Sequence, residues 1–207
     1  MQDTGSAYPG MTTIQVPFVP SRKFVILSIQ NLFTMKYLLC LSMLLFLSCG
    51  AYTQGTIMKT RQVPSVDIKD AKGNPFNTSA ITNDGKPIIL SFWATWCKPC
   101  IKEMTTIADV YAEWQEETGV KLFAISIDDA RSSSQVVPMV NGKGWDYIVL
   151  LDQNSDFKRA MNVGPIPQTF VVNGKGEIVW QHTSFSEGAE LDLIEIVRKV
   201  GKGEEIK

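Results

Sequence analysis

Two cysteines separated by two residues follow an apolar run, and this junction constrains the fold more than any other feature. The run is Ile88–Trp93, and the pair is Cys97 and Cys100. A short apolar run that is rich in β-branched and aromatic residues predicts a buried strand. A helix is expected to begin at the pair, with Pro99 in its first turn, where its missing N–H is not needed. Both sulfurs are therefore expected at a helix N-terminus behind a buried strand.

This position favours redox chemistry. The first N–H groups of a helix lack intrahelical partners and carry partial positive charge, so they stabilise a thiolate at Cys97. The thiolate is the species that attacks a disulfide. Cys100 lies one turn further on, close enough to close a short disulfide and release the partner. We therefore predict that Cys97 is the attacking cysteine and Cys100 the resolving cysteine.

Two other interpretations of the pair are weaker. A structural zinc site needs four ligands, but the other cysteines, Cys40 and Cys49, lie in an apolar N-terminal segment, and His182 is the single histidine. A purely structural disulfide is disfavoured because so tight a loop crosslinks almost nothing. We therefore predict no bound metal and no cofactor.

Composition indicates one globular domain preceded by a leader. The chain has 207 residues, 44% of them hydrophobic and 20% charged. The formal net charge of −1 offers no electrostatic basis for binding nucleic acid, so no such partner is expected.

The leader is predicted at residues 35–53, where Lys36 precedes an apolar stretch and then small residues. This layout is typical of a signal peptide and is short for a membrane span. It predicts an extracytoplasmic location, such as a bacterial periplasm or cell envelope, where thiols are prone to oxidation. An imperfect lipobox ends at Cys49, so a lipid tether on this residue is an alternative to soluble export. Residues 1–34 do not fit a leader, and we interpret them as an upstream extension or a gene-model artefact; one anchor over residues 24–48 is a weaker alternative.

Residues 54–207 alternate in predicted type. We expect a short hairpin, a buried strand, the helix that carries the cysteines, and then alternating strands and helices that end in a hairpin and a helix. The expected ranges after the first helix are a strand at 121–127, a helix at 131–140 with Pro138 near its end, a strand at 147–151, a helix at 155–161, strands at 168–172 and 177–181, and a helix at 189–200 stopped by Gly201. This order predicts an α/β fold of three layers, in which a central mixed sheet carries helices on both faces and an N-terminal β-hairpin extension.

Three motifs resemble the thioredoxin superfamily, most closely its exported TlpA/ResA-like thiol-disulfide oxidoreductases. They are the segment 91–100 (SFWATWCKPC), the segment 164–170 (GPIPQTF) and Glu103, three residues after the second cysteine. The resemblance covers residues 63–201 and implies a thioredoxin-like fold and an enzyme that reduces disulfides of envelope proteins. A sustained reductant outside the cytoplasm would need electrons from a membrane dithiol carrier, so we expect such a donor as a partner.

The segment 164–170 resembles the family loop that carries a cis-proline before a strand. A cis Ile166–Pro167 bond would turn the chain sharply, face the cysteine pair and leave the backbone of Ile166 open to an extended substrate. Trp96, Ile166 and Pro167 are therefore the expected substrate-binding residues, with Trp96 shielding Cys97 at the surface.

Glu103 also follows from helical geometry. At about 100° per residue, Met104, Ile107, Tyr111 and Trp114 share one face of the helix, and Glu103 lies at the edge of that face, one turn from Cys100. A carboxylate partly withdrawn from water should have a raised pKa and could shuttle the proton of the resolving thiol. We therefore predict Glu103 as a third catalytic residue.

Other assignments remain as alternatives or are disfavoured. A non-catalytic, Sco-like copper module would use Cys97, Cys100 and His182, although Sco-like proteins have a wider cysteine spacing. A serine hydrolase would depend on His182 alone and lacks the Gly-x-Ser-x-Gly elbow. A peroxidase is disfavoured because the segment before Cys97 differs from the peroxiredoxin motif. Asp128 and Asp129 follow a strand and are expected to cap a helix.

Overall fold

The computed structural model describes residues 61–206, and the secondary structure in this range alternates largely as expected. The strands are β1 (Arg61–Gln62), β2 (Asp67–Asp70), β3 (Pro75–Asn77), β4 (Ile88–Trp93), β5 (Lys121–Ser126), β6 (Ile148–Leu151), β7 (Gln168–Val172) and β8 (Glu177–Thr183). The helices are α1 (Lys98–Thr118), α2 (Val136–Lys143), α3 (Asp156–Ala160) and α4 (Ala189–Gly201), with single 3₁₀ turns at Thr78–Ala80 and Ser133–Gln135. The predicted leader at 35–53, Cys49 and residues 1–34 lie outside the described residues.

The strands form one mixed sheet in the order β1-β8-β7-β4-β5-β6-β2-β3. Strands β4, β5 and β6 are parallel, whereas β7 and β8 run antiparallel to their neighbours. The β2–β3 hairpin adds to the sheet through antiparallel pairing of β2 with β6. This arrangement confirms the predicted three-layer fold with a mixed sheet and an N-terminal hairpin extension.

Strand β4 lies in the middle of the sheet, and all six of its residues are buried. Successive side chains of a strand point to opposite faces, so β4 contributes to two cores. Ile89 and Trp93 pack in the core that α1 and α4 cover, and Leu90 and Phe92 pack in the core that contains Phe157 of α3. Because helices cover both faces of the sheet, side chains on both faces of β4 are buried, and its sequence is therefore a continuous apolar run.

Helix α1 begins directly after Cys97, which is its N-cap residue, and has Pro99 in its first turn. The predicted apolar face is buried, with Met104, Ile107, Tyr111 and Trp114 between 0% and 5% exposed. The helix ends at Gly119, whose φ of +67° is in the left-handed region and whose N–H donates to the carbonyl of Gln115. Because α1 packs along the sheet, it holds the cysteines at one end of β4.

Some boundaries differ from the sequence-based expectation. The helix expected at 131–140 is a 3₁₀ turn followed by α2, so Pro138 lies in the first turn of α2 rather than near its end. A first turn tolerates proline because its N–H groups have no intrahelical acceptor. Gly201 is the last residue of α4 rather than its stop, and β8 continues to Thr183. Strand β1 was not expected; its two residues pair with the start of β8.

Within residues 61–206, none of the helices is both long enough and apolar enough to span a bilayer.

Candidate redox site

The cysteine pair lies between β4 and α1 and is bonded. Cys97 and Cys100 are joined by an S–S bond of 2.01 Å. Cys97 is 6% exposed and Cys100 is fully buried, so Cys97 is the sulfur that a partner can reach. The backbone N–H of Cys100 points at Sγ of Cys97 at 3.3 Å. When the bond is open, this N–H and the helix N-terminus are placed to stabilise a thiolate on Cys97.

The loop at residues 164–167, which carries Pro167, faces the cysteine pair. The Ile166–Pro167 bond is cis, as expected. The carbonyl oxygen of Ile166 lies 3.9 Å from Sγ of Cys97. The loop is closed by Gln168, whose side-chain oxygen accepts from the N–H of Gly164 at 3.0 Å, while the carbonyl of Pro167 accepts from the N–H of Ser184 at 2.9 Å. Ile166 is half-buried and Pro167 is buried, so the structure brings this loop and Cys97 together.

Trp96 lies at the surface immediately before Cys97, and 63% of it is exposed. Lys98 and Pro99, between the two cysteines, are exposed as well. An aromatic side chain of this size offers a partner a large apolar contact at low entropic cost. The surroundings of Cys97 thus combine one accessible sulfur with an exposed indole.

Asp128 is a site residue that sequence reasoning missed, because we expected it to cap a helix. It is fully buried just after β5. Its carboxylate accepts hydrogen bonds from the N–H of Thr95 at 2.9 Å, the hydroxyl of Thr95 at 2.6 Å and the hydroxyl of Ser126 at 2.9 Å. Strands β4 and β5 are parallel, so their carboxyl ends meet at this edge of the sheet and Asp128 anchors the loop that leads to Cys97.

The neighbouring Asp129 closes the turn that precedes the 3₁₀ turn: its side-chain oxygen accepts from the N–H of Ser132 at 3.1 Å and its backbone carbonyl from the N–H of Ser133 at 2.8 Å. The N-cap of the following 3₁₀ turn is Ser132, without a side-chain cap hydrogen bond, so the expectation of helix capping is wrong for both Asp128 and Asp129. The only sequence signal for Asp128 was its place at a strand end, together with a hydroxyl residue next to the cysteines.

Glu103 lies one turn after Cys100 and is only 4% exposed, so it is inside the protein rather than at the edge of the apolar face. The hydroxyl of Thr169 donates to its Oε1 at 3.2 Å. Its Oε2 has no hydrogen-bond partner among residues 61–206. Burial raises the pKa of Glu103 to about 7, and the hydrogen bond from Thr169 opposes this shift in part. A carboxyl group with such a pKa can accept or give a proton at neutral pH.

His182 does not join the cysteines. It lies on β8, stacks on Trp180 with ring centroids 5.8 Å apart, and lines a small cavity together with Glu103 and Thr169. In the described part of the chain, no three His, Cys, Asp or Glu side chains form a group that could hold a metal ion. The ligand set of the copper alternative, Cys97, Cys100 and His182, is therefore not assembled.

Comparison with known proteins gives consistent similarities. A family model described as the AhpC/TSA family matches residues 60–181. The thiol-disulfide oxidoreductase ResA of Bacillus thuringiensis is 31% identical over 121 residues, which are 58% of this chain and 67% of that protein. The solution structure of a thioredoxin-like protein from Porphyromonas gingivalis is 49% identical with a TM-score of 0.62, covering 70% of this chain and 94% of that one. StoA from Bacillus subtilis is 25% identical with a TM-score of 0.51, covering 64% and 96%.

Proposed function

The chain belongs to the AhpC/TSA family of thioredoxin-like proteins, and from this premise we propose that it is an exported thiol-disulfide oxidoreductase that reduces envelope proteins through Cys97 and Cys100. One observation carries the proposal: a disulfide at the start of α1 has one reachable sulfur, 3.9 Å from the carbonyl of Ile166. A buried carboxyl group, Glu103, lies one turn further along the same helix.

The reaction begins with the reduced pair. The Cys97 thiolate attacks one sulfur of a substrate disulfide, and the other substrate sulfur leaves as a thiolate that takes up a proton. The thiol of Cys100 then gives its proton to Glu103 and attacks Sγ of Cys97. The bond between Cys97 and the substrate breaks, and the second substrate sulfur leaves with its electron pair. Two electrons have passed to the substrate, and the protein is left with the Cys97–Cys100 disulfide.

The substrate is proposed to be an extended segment of a protein that contains a disulfide. The backbone of Ile166 beside the cysteine pair is suited to pair with such a segment as an added strand. The exposed ring of Trp96, the residue directly before Cys97, offers the substrate an apolar contact. Pro167 contributes no N–H, so it places no additional donor next to the sulfurs.

Return of the protein to its dithiol form needs a reductant. Because the predicted leader at 35–53 directs the chain out of the cytoplasm, we propose a membrane dithiol protein as the electron donor. The leader, or a lipid on Cys49, would also hold the domain near that donor. These features rest on the sequence, because residues 1–60 lie outside the described part of the chain.

The test is insulin reduction by the full chain with dithiothreitol as the reductant. We expect loss of catalysed reduction in Cys97→Ser. When reduced Cys100→Ser is freed of dithiothreitol before insulin is added, we expect a mixed disulfide with insulin to accumulate. Cys49→Ser is the matched control and should reduce insulin like the wild type. Wild-type activity in Cys97→Ser would overturn the proposal. Binding of one copper ion per chain that is lost in both Cys97→Ser and His182→Ala would support the copper module instead.

A further inference from the structure

A small cavity adjoins Glu103 on the side of β8 and α4. It leaves about 10 Å³ for the centre of a water molecule, which is close to the space that one bound water needs. Glu103 and Thr169 form one part of its wall, and His182 of β8 and Glu190 of α4 form another. The remaining wall includes apolar side chains such as Ile107 and Leu193.

Three polar atoms at this cavity share one property. Oε2 of Glu103, Nε2 of His182 and Oε2 of Glu190 are all buried, and none of them has a hydrogen-bond partner among the described residues. Buried polar atoms in folded proteins are paired with few exceptions, either to protein or to ordered water. All three residues line the cavity, and a water molecule makes two to four hydrogen bonds, so one water bound there has the capacity to pair with a polar atom of each.

We propose that a bound water joins Glu103 to His182 and Glu190, and that this set carries the proton of the resolving cysteine from Glu103 to solvent. The inference rests on the proposed function, because it concerns the second half of the disulfide exchange. It assigns His182 and Glu190 as positioning residues that act through Glu103 and do not touch the substrate.

The path solves a problem of access. In the mixed disulfide the substrate covers Cys97, whereas the cavity lies one helical turn further along α1, at Glu103. Cys100 passes its proton to Glu103, and the Cys100 thiolate forms the bond to Cys97 while the substrate leaves as a thiolate. Glu103 then passes the proton through the water to Nε2 of His182 or to Glu190, both of which are half-buried. The substrate thiolate takes a proton from solvent, so protons and electrons balance.

The groups that face Glu103 are few. His182 lies on β8 and Glu190 on α4. Tyr147 lies just before β6, and burial together with the charge of Glu103 raises the pKa of this tyrosine. The hydroxyl of Tyr147 donates its proton to the carbonyl of Met104 at 2.7 Å, so it already has a hydrogen-bond partner. Of these three groups, His182 and Glu190 are the ones with an unpaired buried atom at the cavity. An imidazole suits the role because it can accept a proton on one nitrogen while it donates from the other.

The experiment follows the reaction of the reduced full chain with 5,5′-dithiobis(2-nitrobenzoic acid) by stopped flow between pH 5 and 9. All proteins carry Cys40→Ser and Cys49→Ser, so that Cys97 and Cys100 are the only thiols. The first release of nitrothiobenzoate reports attack by Cys97, and the second reports resolution by Cys100. We expect His182→Asn and Glu190→Gln to slow the second release by about 3- to 10-fold, less than the ~10²-fold or more for loss of an acid–base group itself. The pH profile of the second release should also shift, and the first release should remain unchanged.

Glu195→Gln is the matched control, because Glu195 lies on the same helix with 60% of its side chain exposed. It should behave like the wild type in both phases. Wild-type rates and profiles in both His182→Asn and Glu190→Gln would overturn the relay, whereas a wild-type protein that shows no second release would overturn the proposed function instead.

A variant that fails to fold does not remove the test. The titration of Glu103 can be followed by ¹³C NMR of the side-chain carboxyl groups in whichever of the two variants folds. Loss of a neighbour that shares a water with Glu103 should shift its midpoint, and an unchanged midpoint would contradict the relay.

Discussion

The carboxylate of Asp128 holds Thr95 by two hydrogen bonds, one from its N–H at 2.9 Å and one from its hydroxyl at 2.6 Å. Thr95 is two residues before Cys97, and Asp128 lies just after the neighbouring strand β5, 33 residues away in the chain. Because a loop has few backbone hydrogen bonds of its own, this buried carboxylate ties the loop before Cys97 to the sheet.

Asp128→Asn should therefore destabilise the protein and disturb the reactive cysteine. An amide offers only one acceptor atom, so one of the two Thr95 donors would face an NH₂ group. We expect a loss of about 2–3 kcal/mol in the free energy of unfolding by urea. We also expect a slower first release of nitrothiobenzoate. Asp129→Asn is the control, since the side chain of Asp129 is half-exposed and asparagine forms the same kind of turn as aspartate; equal effects of the two substitutions would contradict the assignment.

Glu103 makes stability depend on pH. Folding raises its pKa from 4.5 to about 7 through burial, so the folded state binds this proton more tightly than the unfolded state does. The stabilisation is complete below pH 4.5 and is lost as the pH rises to 7. Relative to Glu103→Gln, the oxidised wild type should lose roughly 3 kcal/mol in unfolding free energy between pH 4.5 and 8. The exposed Glu113→Gln on the same helix is the control, and a difference between wild type and Glu103→Gln that does not vary with pH would exclude this account.

Trp96 should matter for protein substrates and not for stability. Its ring is 63% exposed, so Trp96→Ala should change the free energy of unfolding by less than about 0.5 kcal/mol. We expect KM for insulin to rise about 5-fold, which corresponds to the loss of about 1 kcal/mol of contact. The rate with 5,5′-dithiobis(2-nitrobenzoic acid) should stay within about twofold, because this small reagent does not need the contact. Leu191→Ala, at a site that is 65% exposed on α4, should leave KM unchanged, and the same KM in both variants would argue against the role.

Gly174 is required by a close approach of two loops. A Cβ at this position would lie 2.0 Å from the carbonyl oxygen of Gly85, which is a backbone atom that cannot turn aside. Gly174→Ala should therefore cost about 1–3 kcal/mol in urea unfolding. Gly142→Ala is the matched comparison, because Gly142 lies within α2 with no atom within 4 Å of the added carbon. It should stabilise the protein by about 0.5–1 kcal/mol, and a loss as large as that of Gly174→Ala would contradict the structure.

The fold was predictable where the pattern was local. The apolar run of β4, the buried face of α1 and the closing β7–β8 hairpin each follow from side-chain periodicity or turn residues within one segment. Strand β1 was not predicted because its two residues are exposed, and their extended conformation depends only on pairing with β8. Pro138 was assigned to the wrong end of its helix because a proline marks a boundary without showing which one.

The amino-acid sequence alone determined the cysteine pair, the helix that begins at it and the helix face on which Glu103 lies, and the resemblance to a known family predicted the cis bond opposite the pair. Only the tertiary structure decided how deeply Glu103 is buried, what Asp128 holds and where His182 lies. The contacts concerned join residues far apart in the chain, such as Thr169 and Glu103, which are 66 positions apart. Periodicity orients a side chain relative to its own element, whereas burial and hydrogen bonding depend on which other elements pack against that face.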